Sequence, residues 1–97
     1  MGSPANNVPL FALGRLLMTP GAREAMAEAG QSPREFIRRH VTGDWGEMSA
    51  DDRKLNDEAL FTCERIFSSY KTARGVRLWV ITERDRSATT LLLPDEY

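Results

Sequence analysis

Between Val76 and Pro94 the apolar residues fall into two short runs, Val-Arg-Leu-Trp-Val-Ile-Thr and Thr-Thr-Leu-Leu-Leu, with the polar segment Glu83 to Ala88 between them. β-Branched and aromatic residues flanking a short polar loop predict a β-hairpin, with a loop longer than the tightest two-residue turns. Upstream, Ile66, Ser68 and Tyr70 alternate with their neighbours, which predicts another strand, and Thr72-Ala73-Arg74-Gly75 predicts the turn into the hairpin.

The first half of the chain has helical spacing instead. Thr19-Pro20 is a helix start, with a capping hydroxyl followed by proline where a missing N–H costs nothing, and Gly30 is the stop. Ser32-Pro33-Arg34-Glu35 adds a capping box to the same proline rule, and Phe36, Ile37, His40 and Val41 then form an apolar stripe up to Gly43. Ser49-Ala50-Asp51-Asp52 starts a third helix, in which Leu55, Ala59 and Cys63 recur four apart. No glycine or proline stands between Glu58 and Tyr70, so the change to strand is placed near Glu64.

Leu10 to Met18 is apolar apart from Gly14 and Arg15, which predicts an edge strand or an extended segment against the core. Residues 1–9 have the composition of a mobile, disordered tail, leaving 10–97 as a single domain. The fold class expected is α+β, with two to three N-terminal helices packed on one face of a small C-terminal antiparallel sheet of three to four strands.

A chain of 97 residues has room for one modest core. Its 41% hydrophobic and 28% charged residues suit a globular protein, and a net charge of -1 announces neither a nucleic-acid nor a membrane partner. The charge is uneven, however. From Asp44 to Glu58 six acids stand against Arg53 and Lys54, whereas from Arg65 to Arg86 six bases stand against Glu83 and Asp85. Either the two segments attract each other, or the basic one offers a surface to phosphates. One cysteine and one histidine exclude an internal disulfide and the usual zinc sites, and no metal or cofactor is expected. Cys63 reads as a small buried group in a protein of the cytoplasm. No apolar run is long enough to cross a membrane, so no membrane partner is expected.

The densest chemistry lies in the hairpin loop and the turn Gly43-Asp44-Trp45-Gly46, whose tryptophan is expected to fold back onto the core. Asp85, Arg86, Ser87 and Thr90, with Asp44 and Trp45, are the candidate binding residues. No phosphate loop, dinucleotide fingerprint or nucleophile elbow is present. Metal-independent ribonuclease chemistry remains open, with His40 as acid or base, Arg86 holding the phosphate and Thr89 donating to it. His40 at a helix end also has the simpler task of bonding the last carbonyls, and Asp85 that of ordering the loop. Asp51 and Asp52 serve a helix start rather than a metal.

Thr-Pro-Gly-Ala at 19–22, Ala-Gly-Gln-Ser-Pro at 29–33, His40 with Gly43-Asp44-Trp45-Gly46, and Ile-Thr-Glu-x-Asp-Arg-Ser-x-Thr-Thr at 81–90 resemble a family of short bacterial proteins carried on plasmids and prophages. Members tend to have glycine near positions 63 and 64, where this chain has Cys63 and Glu64. Some are labelled type I restriction endonuclease subunit M. That label implies a methyltransferase fold, a glycine-rich loop for S-adenosylmethionine and an Asn/Asp-Pro-Pro-Tyr/Phe segment, none of which this chain has. The resemblance implies no activity, only a small protein of mobile-element origin. The leading expectation is a non-catalytic binding protein that grips a host or phage protein through the hairpin and the Trp45 turn. The alternatives are a ribonuclease of barnase-like or toxin type and nucleic-acid binding through the basic sheet.

Overall fold

All three helices begin at the hydroxyls that the sequence offers. In the computed structural model, which describes residues 8–97, Thr19 accepts from the Ala22 N–H at 3.2 Å and opens α1 (Pro20–Ala29). Ser32 accepts from Arg34 and opens α2 (Pro33–Val41), and Ser49 accepts from Asp52 and opens α3 (Ala50–Thr62). Of the expected disordered tail, residues 1–7 lie outside the described residues.

Four strands make one sheet: β1 (Arg15–Met18), β2 (Ile66–Lys71), β3 (Arg77–Thr82) and β4 (Ala88–Leu92), in the order β1-β4-β3-β2. The fold is α+β, as expected. The two hairpins are antiparallel, with Ser68 opposite Val80 and Val80 opposite Leu91. The sheet is nevertheless mixed, because β1 joins β4 in parallel, Leu16 opposite Thr89 and Met18 opposite Leu91. Three helices intervene between β1 and its partner, which gives room for a parallel crossover.

The helices cover one face. Ala22, Met26, Phe36 and Ile37 pack on Tyr70, Leu78, Val80 and Leu91, and Trp45, Ala59 and Ile66 form a second cluster. A 3₁₀ turn at Pro94–Glu96 brings the Glu96 carboxylate to the start of α1. There Glu96 accepts from the Thr19 hydroxyl and from the Gly21 N–H, the latter at 2.9 Å, which draws its pKa below the usual carboxylate range.

The end of α3 departs from two expectations. Cys63 is exposed rather than buried, and it takes the left-handed cap conformation at φ 60 that glycine most often supplies. Buried on α3 are Asn56 and Ala59, while Leu55 is 62% exposed, so Leu55-Ala59-Cys63 is not the inward stripe. Asn56 faces the sheet because its amide replaces a strand. It accepts from the Phe67 N–H at 3.1 Å and donates to the Phe67 carbonyl at 2.7 Å.

Candidate functional site

His40 sits at the end of α2 with no exposed surface. Its Nδ1 lies 2.6 Å from the Ser68 hydroxyl and its Nε2 lies 2.8 Å from that of Thr82. Thr82 in turn lies 2.7 Å from Thr89, whose hydroxyl donates to the Leu13 carbonyl at 2.8 Å. That carbonyl can only accept, so it sets the direction of every bond before it. Thr89 accepts from Thr82, Thr82 accepts from Nε2–H, and Nδ1 accepts from Ser68. His40 is therefore the Nε2–H tautomer, and burial lowers its pKa to about 3. The neutral imidazole is buried, with both of its nitrogens bonded to hydroxyls of the fold. The geometry argues against His40 as an acid or base, and Thr89 is a buried link in the same chain.

Arg86 is also committed. It adopts φ 60, and its guanidinium donates to the carbonyls of Glu64 at 2.7 Å, Ala59 at 3.0 Å and Glu83 at 3.1 Å. It thereby ties the hairpin loop to the left-handed corner at Cys63, with both terminal nitrogens engaged by carbonyls. Three of the other arginines of the basic stretch face acids, while Arg74 donates to the Glu28 carbonyl at 3.3 Å. Arg77 meets Glu47 at 2.9 Å, Arg84 meets Glu64 at 3.7 Å and Arg65 meets Glu83 at 3.8 Å. The Arg77–Glu47 pair links the basic segment to the acidic one, and these contacts offset part of the positive charge on which the nucleic-acid alternative depends.

Several sequence-derived site residues do come together, but in the interior. Phe11 stacks on Trp45 with ring centroids 6.3 Å apart, meets His40 edge-on at 5.2 Å and lies under Arg86 at 5.8 Å. Trp45 is 5% exposed and donates from Nε1 to Asp57 at 3.0 Å. Gly46 passes so close to Ser69 that a Cβ would stand 2.1 Å from its carbonyl oxygen, which only glycine at φ 79 permits. Asp44 is exposed and pairs with Arg39 at 2.7 Å. Thr90 lies half-buried on the opposite face, away from His40.

What the hairpin segment does is hold β1. The Ser87 side chain and the Ser87 N–H, the latter at 3.0 Å, bond the Asp85 carboxylate, which orders the loop and draws the Asp85 pKa down. The Ser87 carbonyl accepts from the Arg15 N–H at 3.0 Å, Thr89 fastens Leu13, and Thr90 stands opposite Leu17. Gly14, at φ 67, lies against this loop, where a Cβ would be 2.3 Å from the Ser87 carbonyl.

The exposed feature that results is the edge of β1. All four of its residues are exposed, including Leu16 at 56%, Leu17 at 40% and Met18 at 43%. The N–H groups of Arg15 and Thr19 point to β4, donating to the Ser87 and Leu91 carbonyls, so strand alternation turns the N–H and C=O of Leu16 and Met18 outward. The opposite edge is closed. Asn56 covers Phe67, and Ser69 bonds the Trp45 carbonyl at 3.1 Å and the Glu47 N–H at 2.7 Å. Sequence reasoning missed Leu16 and Met18 as site residues; three apolar residues before Thr19-Pro20 were the available signal.

The other face of the sheet bears an open groove of about 510 Å³ lined by Met48, Leu55, Phe67 and Trp79. Its polar side chains include Asn56, Glu47 and Arg65, all engaged as above. Among the described residues no group of three histidines, cysteines or carboxylates stands close enough to hold a metal, and no helix is long and apolar enough to cross a membrane. Comparison with protein-family models, curated proteins and solved structures finds no match.

Proposed function

We propose that this chain is a non-catalytic binding protein that takes an extended segment of a partner protein as a fifth strand on the free edge of β1. The observation that carries this reading is the outward backbone of Leu16 and Met18 under exposed apolar side chains, on a sheet whose other edge is closed. Proteins ordinarily blunt such edges, because an unpaired row of N–H and C=O groups is a template for another strand. Main-chain bonds supply affinity in strand addition and side-chain pockets supply selectivity. The hairpin and the Trp45 turn, expected to make the contact themselves, act here as the mount that holds the edge in place. Resemblance to plasmid- and prophage-borne proteins supports a host or phage protein as the partner, and the lone cysteine supports the cytoplasm as the meeting place.

The test uses Leu16→Pro. The Leu16 N–H points away from the sheet, so proline removes an outward donor while leaving the β4 ladder intact. Phage-displayed random peptides are selected on the wild-type protein and then measured on both forms. Sequences that bind the wild type and not the variant are expected. Equal binding to both, or no enrichment at all, would remove the edge from consideration.

A further inference from the structure

The edge also carries information about the chemistry of the segment that docks there, an inference that rests on strand addition at β1. We propose that this segment alternates apolar and acidic residues, with the apolar ones turned toward the helices.

Between β1 and the start of α2 lies a groove of about 340 Å³ lined by Leu16, Met18, Pro33, Ile37 and Leu91, with Arg34 on its rim. Alternate side chains of an added strand would point into it, since Leu16 and Met18 share the face of their register partners Thr89 and Leu91. The groove runs on, past Ser32 and Arg34, into a surface lined by Glu35, Arg38 and Arg39. Glu35 accepts from Gln31 at 2.8 Å and Arg39 is paired with Asp44. Among the described residues, Arg34, Arg38 and Arg15 have no carboxylate within 4.0 Å. Arg15 shares with Leu17 the face turned away from the helices. Unpaired cations thus border the edge on both sides of the sheet, and the groove itself is lined by no acid.

This charge selects among occupants. A segment with glutamates on the face away from the helices finds Arg15 there, whereas one with lysines meets like charge. A second copy of the chain would bring the same arginines to the contact. Residues 1–7, Met-Gly-Ser-Pro-Ala-Asn-Asn, contain no acid and only Met1 as a large apolar residue, so they do not supply the segment either.

The experiment compares two acetylated, dye-labelled peptides of about ten residues, one alternating valine with glutamate and one alternating valine with lysine, by fluorescence anisotropy. The glutamate peptide is expected to bind saturably and at least about tenfold more tightly than the lysine peptide, with the preference lost in Arg15→Glu, whose side chain stands on the face the glutamates take. Both are expected to lose binding in Leu16→Pro, whose fold is checked by circular dichroism. Shifts of the Leu16 and Met18 amide resonances in the wild type give the same answer without a variant. Equal affinities, both abolished by Leu16→Pro, would leave strand addition standing and overturn the acidic assignment. Binding that ignores Leu16→Pro and leaves those amides unshifted would overturn both, as would no binding by either peptide. A dimer by ultracentrifugation that Leu16→Pro disperses would put a second copy on the edge instead.

Discussion

The Thr89 hydroxyl donates at 2.8 Å to the carbonyl of Leu13, which lies 76 positions earlier in the chain. This bond ends the chain of donors that begins at Ser68 and is one of the few polar ties between the segment leading into β1 and the rest of the sheet. Thr89→Val keeps the shape and removes the hydroxyl. The Thr82 proton and the Leu13 carbonyl then lose their partners, at a cost of about 1 to 3 kcal/mol. Urea denaturation should show that loss, and hydrogen exchange should show faster opening at β1 than at β3. Unchanged stability with unchanged β1 protection would contradict the bond's role.

Acid should act through His40 before it acts through any carboxylate. The unfolded chain takes up a proton near pH 6.5, while burial holds the folded imidazole neutral down to about 3. Stability is thus complete above pH 6.5 and falls as the pH drops toward 3, by up to about 1.4 kcal/mol per unit. The depressed groups Glu96 and Asp85 contribute in the same sense, but only below their ordinary values of 4.5 and 3.8. Urea midpoints at about pH 7 and about pH 5 isolate the histidine. In His40→Gln the difference between them should largely vanish, although the variant is weaker throughout. A wild-type midpoint that does not move across this interval would mean that the ring is accessible.

Asn56→Ala should both weaken the fold and make the chain sticky. Removing the amide leaves the Phe67 N–H and carbonyl unpaired at a partly buried edge, which costs about 2 to 4 kcal/mol for the two groups together. It also uncovers β2 for pairing with other chains. Light scattering should rise with concentration in the variant at temperatures where the wild type stays clear. A monodisperse variant of normal stability would show that Asn56 is not the edge cover.

Single-stranded RNA incubated with the protein in the absence of metal should remain intact, because His40 reaches no solvent and the terminal nitrogens of Arg86 are bonded to carbonyls. Denaturing gels of a mixed-sequence substrate provide the check, with His40→Ala and Arg86→Ala alongside. Cleavage by the wild type that either variant abolishes would restore the ribonuclease reading.

The helix starts at Thr19, Ser32 and Ser49 and the hairpin around Asp85 were legible in the sequence because their signals are local: a hydroxyl, a proline or a turn residue beside the groups it satisfies. The parallel pairing of Arg15 with Ala88 left no such mark, since nothing near either residue encodes the other. His40 was ambiguous for a related reason. Its neighbours in sequence place it on an apolar stripe, but whether the ring faces a substrate or Ser68 and Thr82 depends on strands far along the chain. Arg86 misled because its left-handed backbone, which aims the guanidinium back at Glu64 and Ala59, has no signature in residue type. Leu16 and Met18 read as core or edge alike, and only the sheet order separates the two.

Placing β1 beside β4 also sets the order of events during synthesis. β1 has no seat until residues 88–92 have been made, so the nascent chain carries Leu16, Leu17 and Met18 unpaired while all three helices and both other strands emerge. Closing a sheet between distant segments is entropically slow. A newly made molecule is therefore open on this side before it is finished, and a partner present at the ribosome would compete with β4 itself for the strand.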